Sequence, residues 1–354
     1  MKETSIKIST AVRPSNLKAE FTFYPMTTST FDNVRKKPLV YNRHRFSSSI
    51  KKDIRQLHKL DNWHGIISIA EDWALIAGAI AVSSKAWNIL PSVCAVCIYT
   101  LSVVIIGARQ RGLRVLNHQA THNALAKNSK LNWLLGTVFA SWLVLESFSG
   151  FNDSHNSKAN GHHLNLGTTK DVDHMAVVQT GLYSADVKPK DVFTYFATLP
   201  LQTPKYLTFL LRNRIFNPRE DTKERVTRFT YFVVLAVCLI YSGYGLEFLM
   251  YWLLPLFTTA NWIGSFIQIA EHYPLIQTSD PLDILLSRNR ILSPIWNFLV
   301  GTHQEGYHLV HHLYPKMPLW NMHKAHRILS QDPSYALVHQ ETGMSFLLKS
   351  LVCH

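Results

Sequence analysis

Residues 91–122 read PSVCAVCIYTLSVVIIGARQRGLRVLNHQATH. An apolar run from roughly 87 to 107 comes first, close to the ~20 residues a helix needs to cross a bilayer. The chain then turns basic at Arg109, Arg111 and Arg114 and ends on His118-Gln-Ala-Thr-His122. Positions i and i+4 share one helical face, so both imidazoles can point at one site. A lone pair of this kind is often surface decoration, and its meaning depends on what surrounds it.

Other apolar stretches set the fold class. One lies at roughly 66–84, divided from the first by Ser83, Ser84 and Lys85; Glu71 and Asp72 interrupt it, which moves its expected start toward Trp73. Two more come together at about 228–245 and 247–268, with Gly243 and Gly245 at their junction. Only 17% of the 354 residues are charged and 47% are hydrophobic, against roughly 25% charged in soluble domains. The expectation is an all-α integral membrane protein with about four transmembrane helices. As two hairpins, the spans re-emerge on one face, and the arginines mark it as cytoplasmic. A fifth stretch, 131–149, carries Glu146. Were it to cross, it would put histidines on opposite faces, so an interfacial or buried helix is expected there.

The net charge of +13 is concentrated early, at Arg35, Lys36, Lys37, Arg43, Arg45, Lys51, Lys52, Arg55 and Lys59. With apolar spans directly behind it, this stretch reads as a cytoplasmic arm beside anionic lipid rather than a nucleic-acid arm. Residues 1–60 form that arm, 61–330 the membrane domain and 331–354 a tail. No apolar h-region precedes the arm, so no signal peptide is expected. Cys94 and Cys97 make a C-x-x-C inside an apolar run, where neutral thiols pack as small hydrophobes; with Cys238 and Cys353 they suggest no disulfide framework.

The densest cluster is His308-Leu-Val-His311-His312, stopped by Pro315 and Pro318. Three imidazoles this close would repel if protonated and gain little by packing, whereas neutral imidazole is the commonest protein ligand for a metal. His155 and the pair His162-His163 are separated by six residues. On a continuous helix His155 and His162 would stand about 10 Å apart. Either 156–161 loops out, as Asn160-Gly161 permits, or His155 serves another ion, or it is no ligand; the loop is the expectation. His272 closes the last span. Nine candidate ligands result: His118, His122, His155, His162, His163, His272, His308, His311 and His312. One structural zinc needs four ligands, while two ions of four or five nitrogens each would use all nine. Nitrogen-rich ligation with an open position suits iron and oxygen.

These boxes make the chain resemble the membrane fatty acid desaturase and hydroxylase superfamily, from about residue 66 to 330. Supporting matches are Arg109-Gln110-Arg111-Gly112-Leu113, Leu166-Gly167 with Asp171 and Asp173, and HLVHHLYPKMPLWNMHKAH at 308–326. Glu271-His272-Tyr273 is similar to a fourth motif of related alkane hydroxylases. Box two departs, with six intervening residues where the family has two or three. The resemblance implies four membrane helices, a cytosolic helical cap enclosing two iron ions, O2 as co-substrate and removal of hydrogen from saturated carbon. With no haem or iron–sulfur motif in the chain, it also implies a separate electron donor such as a ferredoxin or cytochrome b5-like protein.

The expected substrate is a fatty acyl or lipid-like chain. One rival keeps the chemistry but acts on an amino-acid-derived metabolite, as the rhizobitoxine type does, which the compact RQRGL region resembles. Another is hydroxylation or ketolation. A membrane zinc hydrolase would need about three ligands and a water. A histidine-rich transporter would show more charge at mid-membrane than Glu71 and Asp72.

Overall fold

The computed structural model describes residues 42–352, apart from 160, 179–187, 203, 205–215, 217–218, 279–281 and 339. Arg35, Lys36 and Lys37 of the arm, and Cys353, lie outside the described residues. In chain order the helices that matter are α1 (Ser48–Gln56), α2 (His64–Ile89), α3 (Ser92–Thr121), α4 (Ser129–Val144) and α5 (Phe148–Asn156). They continue as α6 (His162–Asn165), α7 (Val172–Val178), α8 (Thr222–Ser242), α9 (Gly245–His272), α10 (His308–Leu313) and α11 (Met322–Leu329). A two-stranded parallel sheet pairs Asn289–Ile291 with Gln340–Thr342.

Four helices, α2, α3, α8 and α9, are long and apolar enough to cross a membrane. Their outer surfaces keep large apolar side chains exposed, among them Val93, Leu101, Phe229 and Ile240, as burial in lipid rather than in a protein core requires. Cys94 and Cys97 stand on this apolar outer surface as free thiols.

The first span starts at His64, not at Trp73. Hydropathy discounted Glu71 and Asp72, but Asp72 turns into the bundle and is fully buried. Its carboxylate meets the Arg109 guanidinium at 3.5 Å and His303 Nε2 at 2.8 Å. A charge inside a membrane bundle persists when it is paired in this way. Gly112 makes the fit possible, since a Cβ there would come within 2.7 Å of Asp72 Oδ2. A tighter crossing joins α3 to α9 at Gly107, where a Cβ would meet Thr259 Cβ at 2.5 Å and the Ala260 backbone nitrogen at 2.8 Å. Small residues of this kind let membrane helices touch backbone to backbone.

The 30 residues of α3 give a rod of about 45 Å, against a hydrocarbon core of about 30 Å. Its surplus is at the histidine end, where Leu113, Leu116, Asn117, Gln119 and Ala120 are buried by protein. The 129–156 stretch is not one straight rod. α4 and α5 meet at a bend of 99°, and Leu145 at the corner adopts a left-handed φ of 61°. That turn folds α5 back against the end of α3.

Candidate metal centre

Five chain segments converge at the end of the bundle. α3 brings His118 and His122; α5 brings His155; α6 brings His162 and His163; α9 ends on His272; α10 brings His308, His311 and His312. All nine sequence-identified rings meet here. The nitrogens fall into two groups, each with all its atoms within 4.8 Å of one another: His118, His122, His155, His163 and His311 in one, and His162, His272, His308 and His312 in the other.

Helix geometry sets this division. Residues four apart are only about 40° apart around a helix, whereas neighbours are about 100° apart. Thus His118 and His122 stay together, as do His308 and His312, while His311 and His312 go to different groups, as do His162 and His163. The three rings of 308–312 are therefore divided between the two groups. α5 ends at Asn156 and the chain turns before α6 begins at His162. The turn brings the His155 ring to 4.5 Å from His163 and 4.2 Å from His118. His155 thus belongs with His163, not with His162.

Three of the four rings of the second group are held from their outer side. His162 Nδ1 lies 3.0 Å from both oxygens of Asp171, and those oxygens also accept from the backbone of Gly167, Asp173 and His174. His272 Nδ1 donates to the Leu286 carbonyl at 2.9 Å. His308 Nδ1 faces Glu271 Oε1 at 3.3 Å, and Glu271 is itself held by Arg290 at 2.9 Å. Such partners fix the tautomer and aim Nε2 inward. α10 has no capping side chain of its own; Asn289 supplies one from the strand, its Oδ1 accepting from the Leu309 amide at 3.1 Å. Asp171 and Glu271 stood in the sequence motifs without a role. Nothing in the sequence pointed to Leu286 or Asn289, because a carbonyl has no residue signature and Asn289 acts from 20 positions away.

The donor chemistry fits metal ions. With Nδ1–H committed outward, His272 and His308 point bare Nε2 lone pairs at each other across 3.0 Å. In the first group, His118 Nε2, His122 Nε2 and both nitrogens of His155 are buried without a hydrogen-bond partner. Buried polar atoms left in this state are costly, and a shared cation relieves the cost. Burial first, and then neighbouring charges, hold His163, His308, His311 and His312 well below the ordinary imidazole range, and His122 at about 3. Neutral imidazole is the form that ligates. His162 is the exception: burial pushes it down, but the Asp171 carboxylate reverses this and carries it to about 9.

His323, in the tail of the third box, belongs to neither group, and its Nδ1 bonds to Gln304 Oε1 at 3.1 Å. His323→Ala is expected to leave metal content unchanged within error by elemental analysis. A loss like that of a grouped histidine would show that the groups are drawn wrongly.

A family model described as "Fatty acid desaturase" matches residues 92–342, a stretch that contains all nine histidines. Dihydrorhizobitoxine desaturase of Bradyrhizobium elkanii is 32% identical over 320 residues, 87% of this chain and 86% of that protein. A chloroplastic omega-6 fatty acid desaturase of Brassica napus is 22% identical over 314 residues, 85% of this chain and 65% of that protein. The sn-2 acyl-lipid omega-3 desaturase (ferredoxin) of Arabidopsis thaliana chloroplasts is 23% identical over 297 residues, 74% and 60% of the two chains.

Proposed function

The chain belongs to the fatty acid desaturase family and is an oxidoreductase, and from that premise we propose that its nine histidines hold two iron ions and that it desaturates an alkyl chain with O2. The observation that carries the reading is the pair of buried histidine groups, each with its ring nitrogens within 4.8 Å of one another, and in the first of them His118, His122 and His155 turn inward nitrogens that have no protein partner. When bound, iron supplies reductive activation of oxygen and removal of hydrogen from saturated carbon. The overall reaction is –CH2–CH2– + O2 + 2e⁻ + 2H⁺ → –CH=CH– + 2H2O.

The protein's own residues do the positioning. Asp171, Glu271 and the Leu286 carbonyl hold three rings of the second group in one tautomer. The buried walls around α3 and α10 exclude bulk water. In this reading the histidine end is the cytosolic side, with α5, α6, α10 and α11 forming a helical cap, so an apolar chain enters from the bilayer and electrons come from the cytosol. A separate ferredoxin-like or cytochrome b5-like protein supplies those electrons.

The substrate has two readings. The family favours a fatty acyl or lipid-like chain. Similarity in both sequence and length to dihydrorhizobitoxine desaturase, stronger than to the longer plant acyl enzymes, favours a compact amino-acid-derived metabolite. Elemental analysis of purified protein is expected to give two irons per chain; one zinc and no iron overturns the reading. Profiling expressing cells then separates the substrates, by a new double bond in the lipid fraction or in the polar fraction. A new hydroxyl group in place of a double bond would reassign the reaction to hydroxylation.

Loading should also move a proton. Near pH 7 the His162 ring, at about 9, holds protons on both nitrogens; Asp171 keeps the one on Nδ1, so a metal at Nε2 displaces the other. Calorimetry in buffers of different ionisation enthalpy is expected to show about one proton released from this ring at pH 7 and none well above pH 9. In Asp171→Asn the release should disappear; if it persists there, the proton comes from another group.

A further inference from the structure

The basic sequence near residue 50 has a partner in the fold. α1 turns Ile50 and Ile54 inward, one helical turn apart, and both are buried. They join the same core cluster as Leu309 and Val310 of the third box and Met322, Ala325 and Leu329 of α11. The opposite side of α1 presents Lys51, Lys52 and Arg55 to solvent, and the neighbouring segment adds Lys316, Lys324 and Arg327. None of these six has an ion-pair partner among the described residues, and the one exposed acid on either helix is Asp53. On the α11 side the face comes close to the histidine groups. Lys316 acts electrostatically on His122, and α11 places the His326 ring 5.3 Å from Tyr307, the residue before His308.

A basic helix at a membrane edge lies in lipid through an apolar face turned to the bilayer, or on it through charge alone where the headgroups are anionic. Here the apolar faces of both α1 and α11 are already occupied by protein, and what remains outside is charge. We propose that this α1–α11 face is the docking surface for an acidic protein that carries one electron. The proposal rests on the desaturase reading, which requires two electrons per O2 from outside the chain. The carrier would visit twice, each time giving up one electron and leaving oxidised, and opposite charge would speed each encounter. From the face, the short run His326–Tyr307–His308 leads to the second histidine group.

The test is binding, measured in nanodiscs of neutral phosphatidylcholine so that lipid charge plays no part. The probe is a plant-type [2Fe–2S] ferredoxin of net negative charge. The wild type is expected to bind it, more weakly as salt rises, and the triple variant Lys51→Glu/Lys52→Glu/Arg55→Glu to bind at least about tenfold more weakly. Lys324→Glu/Arg327→Glu, on the other helix, should act in the same direction, while Lys190→Glu, exposed but on neither helix, should not. Metal content and thermal unfolding should match wild type in all of them. No binding by the wild type, or equal binding by both multiple variants, overturns the proposal. A wild type that binds ferredoxin yet holds no iron would instead count against the desaturase reading, and the two failures can be told apart.

Discussion

His311→Ala and His312→Ala are each expected to abolish turnover while emptying different metal sites. His311 is one of five rings in the first group and His312 one of four in the second. Loss of an outer partner of a ligand typically costs 10–100-fold in affinity or activity, so loss of a ligand itself should cost turnover about 10³-fold or more. Each purified variant should keep about one iron per chain, because the other group retains all its rings. The His311→Ala/His312→Ala double variant should keep almost none. Elemental analysis beside turnover is the measurement, and two irons retained in either single variant would mean that these rings do not ligate.

Glu224→Ala should act at a distance, through α5. Glu224 starts the third span, yet its buried carboxylate reaches across to accept from the Phe148 amide at 2.7 Å, the Ser149 amide at 2.8 Å and Trp142 Nε1 at 3.2 Å. The first two are free amides at the start of α5, the helix that carries His155, and a carboxylate there also suits the helix dipole. Truncation leaves one buried and two half-buried donors without a partner, at a cost of about 2–4 kcal/mol. The melting temperature in detergent should fall by several degrees, and iron should be lost preferentially from the five-ring group. Glu224→Gln, which keeps an acceptor oxygen, should recover part of both. If Glu224→Ala melts like wild type, the helix is held by something other than this carboxylate.

Much of this could be read in the sequence because it depends on local repeats. Four apolar runs gave four spans, and their ends shifted where protein, not lipid, buries the chain, as in the last three turns of α3. Asp72 misled because hydropathy counts a carboxylate as a cost and cannot see Arg109, 37 residues away, or His303. The nine rings were legible as residue type at helical spacing. Their division into two groups was not, since it depends on where each short helix points once packed. His155 shows the limit most clearly: the loop was expected to let it share an ion with His162, but the bend between α4 and α5 sets it beside His118, in the other group.

The Gly107 contact has an effect well beyond its own position. α3 carries its first histidine 11 residues above that glycine, and α9 ends on its own 13 residues above Thr259, arms of about 16 and 20 Å. The two spans act as the blades of a pair of shears pivoting at one unadorned backbone contact. A splay of only about 3–4° there would part the blade tips by about 1 Å, a displacement that can cost a reaction about a hundredfold. The spacing of the two sites therefore depends on a contact about 16–20 Å away, at a residue with no side chain.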